Sequence, residues 1–124
     1  MGKSIHNNIL DAALNYIKNN ATELTVCSAE PTTYAEAHTT YKLADVVINS
    51  ADFTGPAEGD ASGRKITINQ QADILIDASG TATHVALTNG SDTLLLVTTC
   101  TDQVLTLGNT VTTPAFDDEI ADPT

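Results

Sequence analysis

The sequence is poor in aromatic residues and in basic residues. Only 4% of its 124 residues are aromatic and tryptophan is absent, so a buried core must be assembled from valine, leucine, isoleucine and alanine. Five Lys and Arg residues stand against sixteen Asp and Glu residues, which gives a formal net charge of -11. Binding to phosphate backbones requires clustered cations, and only Arg64 and Lys65 are adjacent. The sequence therefore predicts no direct contact with nucleic acid.

Long apolar stretches are also missing. No segment approaches the roughly 20 apolar residues of a membrane-spanning helix, and residues 1–20 lack the apolar segment and cleavage site of a signal peptide. The start Met1–Ser4 is similar to an acylation site, but the sixth position holds His6 instead of serine or threonine. These observations predict synthesis in the cytoplasm and no membrane partner.

Cysteine is scarce, and its spacing is informative. Cys27 and Cys100 lie far apart, and with three scattered histidines they match none of the paired ligand spacings of zinc sites. A reducing cytoplasm favours free thiols. A disulfide stays open as an alternative, because pairing depends on Cα atoms lying within about 7 Å of each other. We expect no metal and no cofactor.

The N-terminal residues show the periodicity of an amphipathic helix. Apolar residues recur at three- and four-residue spacing, which predicts one buried stripe, with Ser4 as N-cap and the helix over about 4–19. Asp11, Asn15 and Lys18 are expected on the solvent side. The residues of the predicted stripe are Ile5, Ile9, Leu10, Ala13, Leu14 and Ile17.

The rest of the chain is rich in threonine and alternates like short strands. A short helical turn is expected at 32–37 and a loop at Phe53–Gly63, where Gly, Pro, Asp and Ser are dense. We predict a mainly β fold, a small antiparallel β-sandwich or barrel with one N-terminal amphipathic helix. A single domain would span 1–124, with a β-domain at about 22–116 and a loose acidic tail at about 117–124. The predicted strands lie at 22–29, 43–48, 64–69 and 72–77, in a hairpin around Asn89-Gly90, and in a last pair, 104–107 with 111–116, around Gly108-Asn109.

The hairpin raises a catalytic question, because it has a histidine, His84, near one end and Cys100 at the other. Paired residues of an antiparallel hairpin share a face. A two-residue turn pairs Thr88 with Ser91, and a four-residue loop pairs Thr88 with Thr93. Both registers place His84 and Cys100 on opposite faces, unless a three-residue loop or a bulge shifts the count. A cysteine–histidine dyad needs hydrogen-bond reach, so two ordinary strands are predicted.

The remaining candidate residues also favour ordinary structural roles. His6 lies on or beside the helical stripe and His38 in a polar loop. The acidic residues Asp117, Asp118, Glu119 and Asp122, and the short run 58–60, lack the glycine and glutamate pattern of a calcium loop. No phosphate-binding glycine loop or nucleophile elbow is present. We therefore predict no catalytic, cofactor-binding or metal-binding residues, and no enzyme.

Four phrases resemble a family of small proteins encoded by tailed bacteriophages and prophages. They are TVCSAEPTTYAEA (25–37), SGRKITI (62–68), GTATHVAL (80–87) and GNTVTTPAFDDEIADP (108–123). The resemblance runs in order over nearly the whole chain, although none of the phrases is a chemical motif. The resemblance implies a structural role in the virion. The form of that role that fits best is a capsid decoration or cement protein.

Three functions stay open at this stage. A decoration protein would bind the outer surface of the phage head, with the major capsid protein and copies of itself as partners, in a dimer or trimer. It would be made in the bacterial cytoplasm and end on the capsid surface, where an acidic protein lies away from the DNA. The alternative is a tail- or fibre-associated virion protein or a host-surface glycan-binding module. A small metal or thiol enzyme is the third.

Overall fold

The computed structural model describes residues 4–122, so the acylation-like start before Ser4 and the end of the predicted tail, Pro123 and Thr124, lie outside them. The fold is mainly β with antiparallel sheets and an N-terminal α-helix, which confirms the predicted class. Strand ends differ from the predicted ones by one or two residues in most cases. The elements are α1 (Asn7–Asn20), β1 (Glu23–Cys27), β2 (Lys42–Val47), β3 (Phe53–Glu58), β4 (Arg64–Ile68), β5 (Gln71–Leu75), β6 (Gly80–Thr88), β7 (Leu94–Leu105), β8 (Thr110–Thr113) and β9 (Phe116–Ile120), with a π-helical segment at Glu36–Thr40 and a 3₁₀ turn at Ser50–Asp52.

The helix α1 begins later than predicted. His6, not Ser4, is the N-cap, and its Nδ1 atom accepts a hydrogen bond of 3.0 Å from the backbone N–H of Asn8. A ring nitrogen thereby satisfies one of the donors that every helix leaves free at its start. The other end is closed by the N–H of Ala21 bonding to the carbonyl of Ile17. Within residues 4–122, no helix has the length and apolar content needed to cross a bilayer.

The buried side of α1 differs from the predicted stripe. Leu10 and Leu14 are buried, but Ile9 is 59% exposed and Ala13 is exposed as well. Asp11, expected in solvent, instead accepts a 2.8 Å hydrogen bond from the guanidinium of Arg64 on β4. This ion pair holds α1 against the β3–β4–β9 sheet in a rotated orientation. As a result, the apolar residues Ile9, Ala12, Ala13 and Tyr16 form an exposed stripe.

Six strands form one layer that does not close. Hydrogen bonding orders four of them as β2-β1-β6-β7, and β5 pairs with β8 in a separate ribbon. A single antiparallel bridge, Ala44 opposite Ile76, connects β2 to the residue after β5. The layer therefore runs β7-β6-β1-β2-β5-β8, and among the described residues its terminal strands β7 and β8 do not pair with each other. No closed barrel results.

The second sheet, β3-β4-β9, occupies two regions that were predicted to be irregular. Residues 53–58 of the predicted loop form β3, whose register with β4 shifts between Thr54 and Ala57. Proline lacks a donor for the ladder, and β3 lies at a sheet edge where Gly55-Pro56 can occupy the irregular position. Buried side chains of this sheet, Ile66 and Ile68 among them, belong to the same apolar core as β1, β2 and β6.

The acidic tail is also a strand, which corrects the prediction of a loose end at 117–124. Strand β9 pairs with β4 without a break, from Phe116 opposite Ile68 to Ile120 opposite Arg64. Asp117 accepts hydrogen bonds from the hydroxyl of Thr67 and the ammonium group of Lys65 on that strand. Because β4 supplies these donors, the negative charge of the segment is compatible with strand pairing.

The last predicted hairpin, around Gly108-Asn109, forms its turn, but the two strands on either side of the turn do not pair with each other. Gly108 has a φ of 91°, and the N–H of Asn109 bonds to the carbonyl of Thr106 at 3.1 Å. Beyond this turn the chain diverges, because β8 pairs with β5, with Val111 opposite Ile74. Residues 104 and 105 belong to the twelve-residue strand β7, which pairs with β6.

We expect the core to be sensitive to truncation at Leu87, which is fully buried on β6. Leu87→Ala should lower the free energy of unfolding by about 2–5 kcal/mol, because it removes buried methyl groups and leaves a cavity. Urea denaturation followed by circular dichroism measures the change. Leu107→Ala is the matched control, since Leu107 is 61% exposed and should change stability by less than about 0.5 kcal/mol. Equal losses in the two variants would contradict this description of the core.

Candidate functional site

His84 and Cys100 lie on opposite faces of the sheet, as the hairpin argument predicts. His84 is opposite Thr99, and Val85 is opposite Thr98, so Cys100 shares the face of Val85. The connection differs from both expected lengths: it has five residues, because Thr88 pairs with Leu94. Such a loop alone would reverse the faces, but a register shift next to Leu87 restores them.

The loop is five residues long because the Asn89 side chain organises it. Its Oδ1 atom accepts hydrogen bonds from the backbone N–H groups of Ser91, Asp92 and Thr93 at 2.9, 2.9 and 3.0 Å. Its amide nitrogen also donates to the Asp92 carboxylate at 2.9 Å. Asparagine side chains commonly close turns in this way. His84 itself forms a 2.8 Å hydrogen bond with the hydroxyl of Thr83.

Both cysteines are free thiols, so the disulfide alternative is not realised. Cys27 is opposite His84 and therefore lies on the face away from Cys100. Burial raises the pKa of the Cys27 thiol, although a hydrogen bond with Thr25 opposes the shift. Burial, followed by the charge of Asp102, raises the pKa of Cys100. A raised pKa disfavours the thiolate, which is the nucleophilic form.

A buried carboxylate that the sequence did not single out lies on the same face as Cys27. Glu23 is only 7% exposed. Its carboxylate oxygens bond to His38 Nδ1 at 3.0 and 2.9 Å, and one of them accepts a 2.7 Å bond from the Thr88 hydroxyl. The His38 ring stacks on Tyr34, with centroids 4.9 Å apart. His38 thus lies in the π-helical segment, not in a polar loop, and anchors that segment to β1.

The acidic clusters are used within the fold. Glu119 accepts a hydrogen bond from the backbone N–H of Asp60, which connects β9 to the turn after β3. Lys65 lies between two carboxylates, 2.7 Å from Asp60 and 3.4 Å from Asp117. Within residues 4–122, no group of three or more His, Cys, Asp or Glu side chains is arranged to hold a metal ion.

Every basic side chain in residues 4–122 contacts an acceptor of the same chain; Lys3 lies outside this range. Intramolecular pairing of the cations leaves unpaired acids such as Glu30 and Asp102 to dominate the outer surface. The surface of the described residues therefore has an acidic electrostatic character. The contacts are Lys18 to the Gly55 carbonyl, Lys42 to Asp45, Arg64 to Asp11 and Glu58, and Lys65 to Asp60 and Asp117.

An open groove of about 800 Å³ lies between β7 and β8, which do not pair with each other. Core residues, including Val26 and Val85, contribute to its lining, which also contains Cys100. The remaining lining comes mainly from two runs of consecutive residues, 98–106 without Asp102 and 109–114. No residue of the lining carries a charge. We call this space the β7–β8 groove.

One buried side-chain oxygen of a lining residue of the β7–β8 groove has no hydrogen-bond partner within residues 4–122. The hydroxyl of Thr113 has no partner among the described residues, although Thr113 is only 5% exposed. Thr113 shares a side of β8 with Val111, which packs against the core. A buried hydroxyl without a partner costs roughly 1–3 kcal/mol. The run from Thr98 to Thr113 is rich in threonine and has one charged residue, Asp102, but this composition does not by itself indicate a groove.

We expect the two thiols to differ in accessibility. Under native conditions, iodoacetamide should modify Cys100, which is partly exposed, at least roughly tenfold faster than Cys27, whose modification requires local opening of the sheet. The rate at Cys100 should rise with pH through the alkaline range, because the thiolate reacts and its pKa is raised. Mass spectrometry of peptides measures both rates, and in urea they should converge. Equal native rates would contradict the burial of Cys27.

Asp118 gives a prediction for pH dependence. Desolvation raises the pKa of its carboxyl group in the folded protein, so the native state binds its proton more readily than the unfolded chain. This contribution favours folding at low pH and is lost as the pH rises through the folded pKa. Asp118→Asn should therefore increase stability at pH 7, with a smaller gain at pH 3.5. Urea denaturation at both pH values tests this, with the exposed Asp102→Asn as control. A gain independent of pH would contradict it.

No family model, no curated protein and no solved structure matches this chain. The features that bear on its function are the β7–β8 groove, the exposed apolar stripe of α1, the internal pairing of the described cations and the sequence itself.

Proposed function

We propose that this chain is a virion structural protein of a tailed bacteriophage, and that it decorates and stabilises the outer surface of the capsid. The observation that carries the proposal is the contrast between an acidic exterior and two uncharged apolar surfaces, the α1 stripe and the β7–β8 groove. Apolar surface left uncovered in this way is typical of protein–protein contact. The sequence phrases that resemble phage proteins support the same assignment.

Charge supports an outer location. The formal net charge of -11 opposes contact with packaged DNA, and the described cations are occupied by acceptors within the chain. Like-charge repulsion keeps a dissolved protein from associating non-specifically. Docking on a shell would then combine attraction to basic residues of the capsid protein with burial of apolar side chains.

The exposed stripe of α1 supplies apolar area for such docking or for self-association. Ile9 and Tyr16 are 59% and 60% exposed, and residues seven positions apart lie on the same helix face. Burying apolar surface contributes about 25 cal/mol per Å². A homodimer or homotrimer that covers this stripe fits the symmetry of a shell.

The proposal predicts saturable binding to capsids. The purified protein should have the solution mass of a small oligomer by light scattering, and it should co-sediment with decoration-free capsids of its phage at hundreds of copies per particle. A monomer that does not bind capsids would exclude the proposal and direct attention to the tail, fibre or glycan alternative. If electrostatic attraction dominates, about 0.5 M NaCl should release the protein, because exposed charges are screened at that ionic strength.

The stripe of α1 gives a sharper test of the docking surface. Ile9→Ala should weaken capsid binding or self-association by up to roughly tenfold, through loss of buried apolar area. Val47→Ala is the control, because Val47 is 83% exposed on another part of the molecule. Equal effects of the two variants would contradict a role for the stripe. Capsid binding itself is tested separately, by co-sedimentation of the wild-type protein.

A further inference from the structure

The β7–β8 groove lies between the two terminal strands of the six-strand layer. Strands β7 and β8 follow each other in the chain and are joined by a tight turn at residues 106–109. In the described structure β7 pairs only with β6, and β8 only with β5. Each strand therefore presents one row of unpaired backbone N–H and C=O groups, and such rows are templates for an added strand.

The β8 wall of the groove is long enough to pair with an extended segment of about six residues. The wall on the β8 side consists of residues 109–114, and six extended residues span about 20 Å at roughly 3.3 Å per residue. Core side chains at the base, such as Val26 and Val85, would contact every second side chain of an added strand.

We propose that the β7–β8 groove accepts an uncharged, extended segment of a partner protein as an added β-strand, and that basic residues flank this segment. The uncharged lining excludes buried charge from the segment, because an unpaired charge would be desolvated there. The preference for basic residues comes from two exposed carboxylates beside the groove walls. Asp102 lies between the lining residues Thr101 and Gln103 on β7, and Asp73 on β5 donates its backbone N–H to the Thr112 hydroxyl in the β8 wall.

A second copy of this chain fits the groove less well than a different partner. Each copy has a formal net charge of -11, so close approach of two copies is opposed by repulsion. The three longest uncharged runs of this chain, residues 78–91, 93–101 and 103–116, already lie largely in β6, β7 and β8 of the fold. A cationic partner with a free segment meets neither obstacle. The inference goes beyond the proposed function, and it is tested without capsids.

Cys100 provides the readout, because it lines the groove while Cys27 lies on the other face of the sheet. The probe is the synthetic peptide KTVTVTVK, acetylated and amidated at its ends. A saturating concentration should slow alkylation of Cys100 by roughly tenfold or more, since the filled groove excludes the reagent. The rate at Cys27 should not change. Backbone amides of β7 and β8 should also gain protection from hydrogen exchange.

Matched peptides and variants isolate the mode of binding. A peptide with proline at the central valine should give no protection, because proline removes a backbone donor. The same sequence with glutamate at both ends should bind more weakly, because Asp102 and Asp73 repel it. Asp102→Asn removes one of these two charges and should lower the preference for the lysine-ended peptide over the glutamate-ended peptide by roughly two- to tenfold. Glu30→Gln, at an exposed acidic position outside the groove lining, is the control.

Three results would overturn the proposal. The first is an unchanged Cys100 rate with KTVTVTVK, or equal protection by its proline analogue. The second is equal protection by the uncharged detergent octyl glucoside alone, which would identify the groove as a site for small amphipathic molecules. The third is protection that grows with the concentration of the protein itself in the absence of peptide, which would assign the groove to a second copy. Capsid co-sedimentation is a separate measurement, so failure there concerns the proposed function only.

Discussion

The backbone pairing of β1 is the interaction on which the other features depend. This strand is buried at all five positions and pairs with β2 on one side and β6 on the other. Alternation along the strand directs Val26 toward the apolar core and the β7–β8 groove, and Glu23 and Cys27 toward the opposite face. On that face a small polar cluster around Glu23 anchors the π-helical segment. The same alternation, continued through β6 to β7, places Cys100 in the groove.

The pairing of the basic side chains within the chain also shapes the structure and its surface. The described cations are few, and each is satisfied by an acceptor inside the chain. The strongest example is Arg64, whose guanidinium bonds to Asp11 and Glu58 and thereby determines which side of α1 faces the sheet. Exposed ion pairs contribute little to stability, but this one is half-buried and selects an orientation. Because the cations are paired internally, the outer surface of the described residues is left acidic, and α1 and the β7–β8 groove each present an uncharged apolar area on it.

An unclosed layer of strands carries both an advantage and a risk. Free edges invite unwanted pairing, and natural proteins usually protect them with charges, prolines or bulges. Here β7 has one charged residue, Asp102, in twelve positions, so protection depends largely on the net charge of the whole chain. A surface of this kind is suited to a protein that acts by joining an assembly. It gives the proposed decoration role and the inferred strand-acceptor groove a common physical basis, although each has its own test.

The sequence by itself determined the features that depend on neighbouring residues. These are the N-terminal helix, most strands, the turns at Asn89 and Gly108, and the separation of His84 from Cys100, because alternation and turn chemistry are local. Only the tertiary structure decided the side of α1 that is buried, the pairing of β9 with β4, and the pairing of β8 with β5 in place of β7. Each of these features depends on an interaction between residues far apart in the chain, such as the hydrogen bond from Arg64 to Asp11. Local periodicity does not encode such partners, so the groove that results from them was beyond the reach of sequence patterns.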